Sequence, residues 1–360
     1  MEQSKMDVPL SLIEQSLSNS LGYEIRLAKC TKFKKNRIFR CWVSDGPSYL
    51  PEVLLVKMAR QTKREPYNRK RDCIGSSAWK LFNEWAALQF LGKIGGDKMI
   101  TPKFIAGDAV QGLIAFEYVP KAHSFRDILR KSNAAERAHA LLTHAQAMGR
   151  MHGSTYGRKN EWFSLRTSLS THYQADTDSF DGIVRTFRKF ATLVEQPESI
   201  ALESELSELQ ETLSNAELFS AFRHVDIAPQ NYLLVDDGVK LVDFEYSSYG
   251  YFLLDAPLGP FPFPVRWECD EILAQEIESV YRTELSSGFR GALDDAIYYR
   301  GLLIAWIYWL LRLVPIPRMC EVSDELACRC KGVARLSHQI EYLPQIGRIF
   351  EQVATIHESR

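Results

Sequence analysis

The seven cysteines of this 360-residue chain include no CxxC pair, and no Cys/His ladder with zinc spacing accompanies them. Only Cys328 and Cys330 lie close together. An odd, scattered set of thiols argues against a disulfide-stapled secreted scaffold and against a zinc module, and fits a reduced, intracellular compartment. Net charge is almost absent too, at a formal −1. So weak a field draws in neither nucleic acid nor an anionic membrane, and neither is expected as a partner. The basic run from Lys63 to Arg71 reads more readily as a solvated loop than as a phosphate-binding patch.

Long apolar runs are missing as well. The most apolar stretch, Gly301–Leu311 (GLLIAWIYWLL), is bracketed by Arg300 and Arg312. A bilayer span needs roughly 20 apolar residues, so this is expected to be a buried core helix. Residues 1–16 carry Glu2, Lys5 and Asp7 and contain no apolar signal core, which makes a cytoplasmic location the expectation. No repeat or low-complexity segment is visible.

What is present is an ordinary globular composition, 46% hydrophobic and 25% charged, enough to bury a large two-lobed core. Residues 23–29, 38–43 and 53–58 alternate as strands, followed by a helix over about 77–91 and strands near 103–106 and 113–118. After Pro120 helical periodicity takes over, over 133–153 and about 198–213, and again from Cys269 onward. The pattern predicts an α+β chain: a small antiparallel sheet in residues 1–119 and a larger, mainly helical part in residues 120–360.

One segment concentrates the chemistry. It runs His224-Val-Asp226-Ile-Ala-Pro-Gln-Asn231, then an apolar run, Asp236-Asp237-Gly238, a second apolar run and Asp243-Phe244-Glu245. Asp-Gly between apolar runs marks a hairpin. Folded about Asp237, it places Asn231 and Asp243 opposite each other to within one residue. An amide oxygen and a carboxylate are hard ligands of the kind Mg²⁺ accepts. Asp226 lies on the loop leading in, where a carboxylate could orient a hydroxyl beside metal-bound phosphate and take its proton.

This segment resembles the catalytic and metal-binding loops of the aminoglycoside phosphotransferase and choline kinase group, small-molecule relatives of protein kinases. The run Asp243-Phe-Glu-Tyr-Ser-Ser-Tyr-Gly-Tyr is especially similar to choline and ethanolamine kinases. Asp255 resembles the group's later structural aspartate. Met148-Gly-Arg-Met-His152-Gly resembles the helix preceding its catalytic loop. The resemblance implies a two-lobed protein-kinase-like fold, with residues 1–119 binding nucleotide and residues 120–360 holding the catalytic loop and acceptor. It implies an ATP- and Mg²⁺-dependent phosphotransferase whose partner is a small-molecule hydroxyl acceptor. Asp226 is then the catalytic base. His224 either acts on substrate or orients the loop through a backbone hydrogen bond. His152 reads as a packed core histidine.

On the nucleotide side, Lys57 ends an apolar strand. Glu84 lies among Leu81, Ala87, Leu88 and Leu91 on an apolar helix face, where a carboxylate needs a partner. Lys57 is the natural one, and would then lie near the α/β-phosphates. The backbones of Glu117 and Val119 resemble a hinge that holds adenine, in an extended segment closed by Pro120. The turn Lys32–Arg37 contains no glycine, unlike the phosphate-covering loop of protein kinases. Asn36 is the polar residue expected near phosphate there, and a non-catalytic kinase-like protein is the alternative that this turn keeps open. For the acceptor, Trp267, Tyr298, Tyr299, Trp306 and Trp309 could cage a choline-type cation. Glu268, Asp270 and Glu271 could instead serve an aminoglycoside.

Overall fold

The alternation of the N-terminal third does produce a sheet. In this computed structural model, which describes residues 10–34, 37–61, 66–96, 99–174, 181–195, 199–214, 216–256, 271–313 and 324–358, five antiparallel strands pair in the order β1-β2-β3-β5-β4. They are β1 (Arg26–Lys34), β2 (Ile38–Asp45), β3 (Val53–Met58), β4 (Phe104–Asp108) and β5 (Leu113–Glu117). β1 ends five residues later than the alternation of 23–29 indicates. Lys29, Lys32 and Lys34 hide its apolar period, and register shifts interrupt its pairing with β2. Such lysines suit the place, because β1 is an edge strand, where charge discourages pairing with a second chain.

Helix α1 (Leu10–Leu21) was not anticipated. Its Ile13 and Leu17 are fully buried, in one cluster with Ile25, Phe39, Cys41, Leu54 and Val56. Helix α2 (Ser77–Gly95) begins where the Ser76 side chain accepts a hydrogen bond from Trp79 N–H, capping its first turn. Two short elements follow, β6 (His123–Ser124) and α3 (Phe125–Lys131), then α4 (Ala134–Thr155) and α5 (Lys159–Leu169). Helices α6 (Asp181–Leu193) and α7 (Ile200–Ser214) lead into β7 (Ser220–Arg223), β8 (Tyr232–Val235), β9 (Gly238–Leu241) and β10 (Ser248–Tyr251). Helices α8 (Glu271–Leu285), α9 (Asp295–Leu313), α10 (Asp324–Gln339) and α11 (Pro344–Glu358) complete the described chain.

The chain divides into two compact units that are discontinuous in sequence. The first comprises Met1–Ala140, Arg158–Asp176 and His224–Ser248. It holds the five-stranded sheet, α2, α5 and the three-stranded sheet β6-β8-β9. The motif segment from His224 to Glu245 therefore belongs with the N-terminal sheet. The second unit comprises Leu141–Gly157, Thr177–Arg223 and Tyr249–Arg360, and is mainly helical.

Within the second unit, the GLLIAWIYWLL run is the middle of α9, with Leu303, Ala305, Ile307 and Leu310 fully buried. Among the described residues no helix is long and apolar enough to cross a membrane. The Gly149/Gly153 pair of α4 also acquires a reason. A Cβ on Gly149 would come within 2.5 Å of the Tyr281 carbonyl oxygen, and one on Gly153 within 2.8 Å of that of Glu284. The two glycines, one turn apart, let α4 and α8 meet backbone to backbone.

Candidate active site

The hairpin forms at the expected place with its register one residue displaced. Tyr232 pairs with Leu241 and Val235 with Gly238, so the turn pivots between Asp236 and Asp237. Asn231 therefore lies opposite Val242, whose N–H donates to the Asn231 carbonyl at 2.9 Å. Asp243 follows directly. A one-residue slip in a regular strand would turn its side chain to the other face. Asp243 escapes that rule because its φ is +68°, and Val225 in the preceding loop has the same value. Left-handed non-glycine residues are strained by about 1–3 kcal/mol and collect at functional sites.

Hydrogen bonds fix the loop around Asp226. Asp226 N–H donates to the His224 carbonyl at 2.9 Å, and Asn231 Nδ2 donates to the Asp226 carbonyl at 2.9 Å. The second bond orients the Asn231 amide and leaves Oδ1, the atom a cation needs, on its other side. His224 is fully buried and donates from Nε2 to the Val242 carbonyl at 2.9 Å, with its ring packed on Phe244 at 4.5 Å. His224 thus ties the loop to the far strand of the hairpin.

Lys57 and Glu84 do meet. Both are 3% exposed and joined as an ion pair, and Lys57 Nζ also lies 2.5 Å from Asp243 Oδ1 and 3.5 Å from Glu245 Oε2. The carboxylates of Glu84, Asp243 and Glu245 lie within 4.8 Å of one another. Burial opposes the Lys57 charge, but these three acids outweigh it and raise its pKa. Burial pushes the Glu84 carboxyl up to about 7, which Lys57 only partly offsets. Asp243 is lowered on balance, since Lys57 and Arg37 overcome the effect of burial. Lys57 neutralises this group, and Asp243, with 31% of its side chain exposed, is the most open of the three carboxylates and the hard oxygen donor a divalent cation can reach.

The helix carrying Glu84 is itself braced. Fully buried Arg166 of α5 donates from Nη1 and Nη2 to Asp72, at 2.9 and 2.6 Å, and from Nε to Asn83 Oδ1 at 2.7 Å. Lys80 Nζ meets the Tyr246 hydroxyl at 2.5 Å. These contacts join residues up to 166 positions apart in sequence. Of the other nucleotide-side candidates, Glu117 ends β5, and its N–H donates to the Lys103 carbonyl at 2.9 Å. An adenine contact at Glu117 must therefore use its carbonyl. Val119 is half-buried just beyond it, and Asn36 lies outside the described residues.

In the second unit, Asp255 is buried and ion-paired with Arg223, 3.3 Å away, at the end of β7. His152 is fully buried and shares a 2.8 Å hydrogen bond with the Tyr281 hydroxyl. Burial lowers its pKa to about 4. The folded state therefore favours neutral His152, and its contribution is complete above pH 6.5 and lost as pH falls toward 4. The shift corresponds to roughly 3 kcal/mol. Denaturant titrations should show the stability gap between wild type and His152→Leu narrowing over that interval, whereas a constant gap would contradict it.

Of the acceptor candidates, Trp267, Glu268 and Asp270 lie outside the described residues, while Glu271 begins α8 and is exposed. Tyr298 is fully buried, and the Arg282 guanidinium lies 4.4 Å from its ring and 5.4 Å from that of Tyr299. Trp309 Nε1 donates to the Leu254 carbonyl at 2.7 Å. Tyr298 is thus part of the helical core, Tyr299, Trp306 and Trp309 are half-buried, and the two tyrosines already face a cation of the chain itself.

No protein-family model and no curated protein matches the chain. Solved structures do. A choline kinase from Cryptosporidium parvum Iowa II is 12% identical, with 97% of this chain and 95% of that one covered at a TM-score of 0.45. An amicoumacin kinase in complex with AMP-PNP, Ca²⁺ and Ami is 10% identical, with 98% of each chain covered and a TM-score of 0.48. A choline/ethanolamine kinase family protein from Mesorhizobium loti is 15% identical, covering 91% and 93% at a TM-score of 0.41.

Proposed function

We propose that this chain is an ATP- and Mg²⁺-dependent phosphotransferase that phosphorylates a hydroxyl of a small molecule, an amino sugar, aminoglycoside-like compound or amino alcohol. The observation that carries the reading is the convergence of Lys57 and Glu84 on Asp243 within one compact unit. The same unit holds the Asp226–Asn231 loop, tied by His224 to the Val242 carbonyl, one residue before Asp243. Lys57 holds the nucleotide phosphates and Glu84 aims it. Asn231 and Asp243 hold Mg²⁺, which when bound supplies positive charge to the transferring phosphoryl group. Asp226 orients the acceptor hydroxyl and takes its proton. His224 is a positioning residue. Glu117 and Val119 offer backbone groups to adenine, and Asn36 a polar side chain to phosphate. In this reading residues 1–119 bind nucleotide, residues 120–360 supply the catalytic loop and acceptor site, and the protein works in the cytoplasm.

Nucleotide binding is the first test. Mg-ATP at about 100 times its Kd should stabilise the fold by about 2.7 kcal/mol, visible as a raised Tm. No shift at millimolar nucleotide would favour a non-catalytic kinase-like protein. A panel of hydroxyl acceptors including aminoglycosides, choline and ethanolamine then identifies the substrate.

A further inference from the structure

The glycine-free turn before β2 leaves open what grips phosphate in its place. Arg37 is the last residue of that turn. The next residue, Ile38, pairs with Lys57 across β2 and β3, so the register brings Arg37 to the Lys57 end of the sheet. Its Nη2 donates to Glu245 Oε2 at 2.6 Å, and Lys57 Nζ lies 3.5 Å from the same oxygen. One carboxylate oxygen thus sits between two cations, both mostly buried, and Asp243 flanks them. An anionic oxygen bridging a guanidinium and an ammonium is the contact a polyphosphate would make there, and arginine favours such forked anion contacts.

We infer that Arg37 is a phosphate-binding residue, and that Glu245 acts as an internal stand-in for a phosphate oxygen, held by Arg37 and Lys57 until a nucleoside triphosphate displaces it. This rests on reading the chain as an ATP phosphotransferase. The exchange is an ion-pair swap in which no covalent bond changes. Charge is conserved locally: Arg37 leaves one oxyanion for another, and Glu245 is released. The contact also gives the glycine-free turn a function, with one long cationic side chain replacing close backbone approach.

The experiment is isothermal titration calorimetry with ATP, in EDTA and again in Mg²⁺, on wild type, Arg37→Ala, Arg37→Lys, Glu245→Gln and the Arg37→Ala/Glu245→Gln double variant. Arg37→Ala should weaken ATP about tenfold or more, the worth of one charge-assisted hydrogen bond, and Arg37→Lys should recover part of it. Glu245→Gln should tighten metal-free ATP several-fold by removing the competitor, and that gain should be clearly smaller when Arg37 is also alanine, because Lys57 is then the one cation left for Glu245 to occupy. The inference is overturned if Arg37→Ala binds ATP within about twofold of wild type, or if Glu245→Gln tightens binding equally in both backgrounds. Absence of ATP binding by wild type would instead overturn the enzymatic reading itself, so the two failures are told apart.

Discussion

Asp226→Asn is expected to cut turnover by roughly 10²–10⁴-fold or to abolish it, while ATP affinity and fold stability stay near wild type. The carboxylate of Asp226 makes neither of the bonds that hold the loop. Those bonds use its main chain: the N–H donates to the His224 carbonyl, and its carbonyl accepts from Asn231 Nδ2. Asparagine preserves both and preserves the side-chain volume, and removes only the group that can accept a proton. The assignment fails if the variant turns over like wild type. If it loses ATP binding as well, the residue belongs to the nucleotide site and another base must be found.

Lys57→Met should damage both chemistry and fold. The lysine is the ammonium around which Glu84, Asp243 and Glu245 gather, all three within ion-pair distance of it. Removing it leaves like charges crowded together, one of them on a residue only 3% exposed. Loss of one partner of a buried pair costs about 3–5 kcal/mol, so denaturant midpoints should fall by a corresponding amount. Adding Glu84→Gln should restore part of that stability, because it removes the buried carboxylate that lost its partner, but should not restore turnover. A stable, active Lys57→Met variant would contradict the placement of Lys57 at the phosphates.

Several parts of this arrangement were legible in the residues. Asp237-Gly238 between apolar runs marked the hairpin, and Glu84 on an apolar helix face demanded a cation. Sequence spacing left the register uncertain by one residue, and the left-handed backbone at Asp243 is what redirects that side chain. The lysines of β1 masked its alternation. Helix α1 lay outside the strand pattern that organises its neighbours, although Ile13 and Leu17 are spaced to reach the core. Contacts such as Arg37–Glu245 and Arg166–Asp72 were not legible, because they join residues 208 and 94 positions apart whose types are common on any surface. Only burial distinguishes them. The aromatics of α9 show the reverse case. Tyr298 and Tyr299, of a residue type that suits a choline cage, face Arg282 of the chain itself, and Trp309 donates its N–H to the Leu254 carbonyl.

The most direct test is transfer of the γ-phosphoryl group from labelled Mg-ATP to a pool of amino sugars, aminoglycosides and amino alcohols, with wild type and Asp226→Asn side by side. The proposal predicts a labelled, acid-stable phosphate ester formed by wild type and not by the variant, with both proteins binding ATP. Binding of ATP with no acceptor labelled across that pool, or labelling that persists in Asp226→Asn, would contradict it.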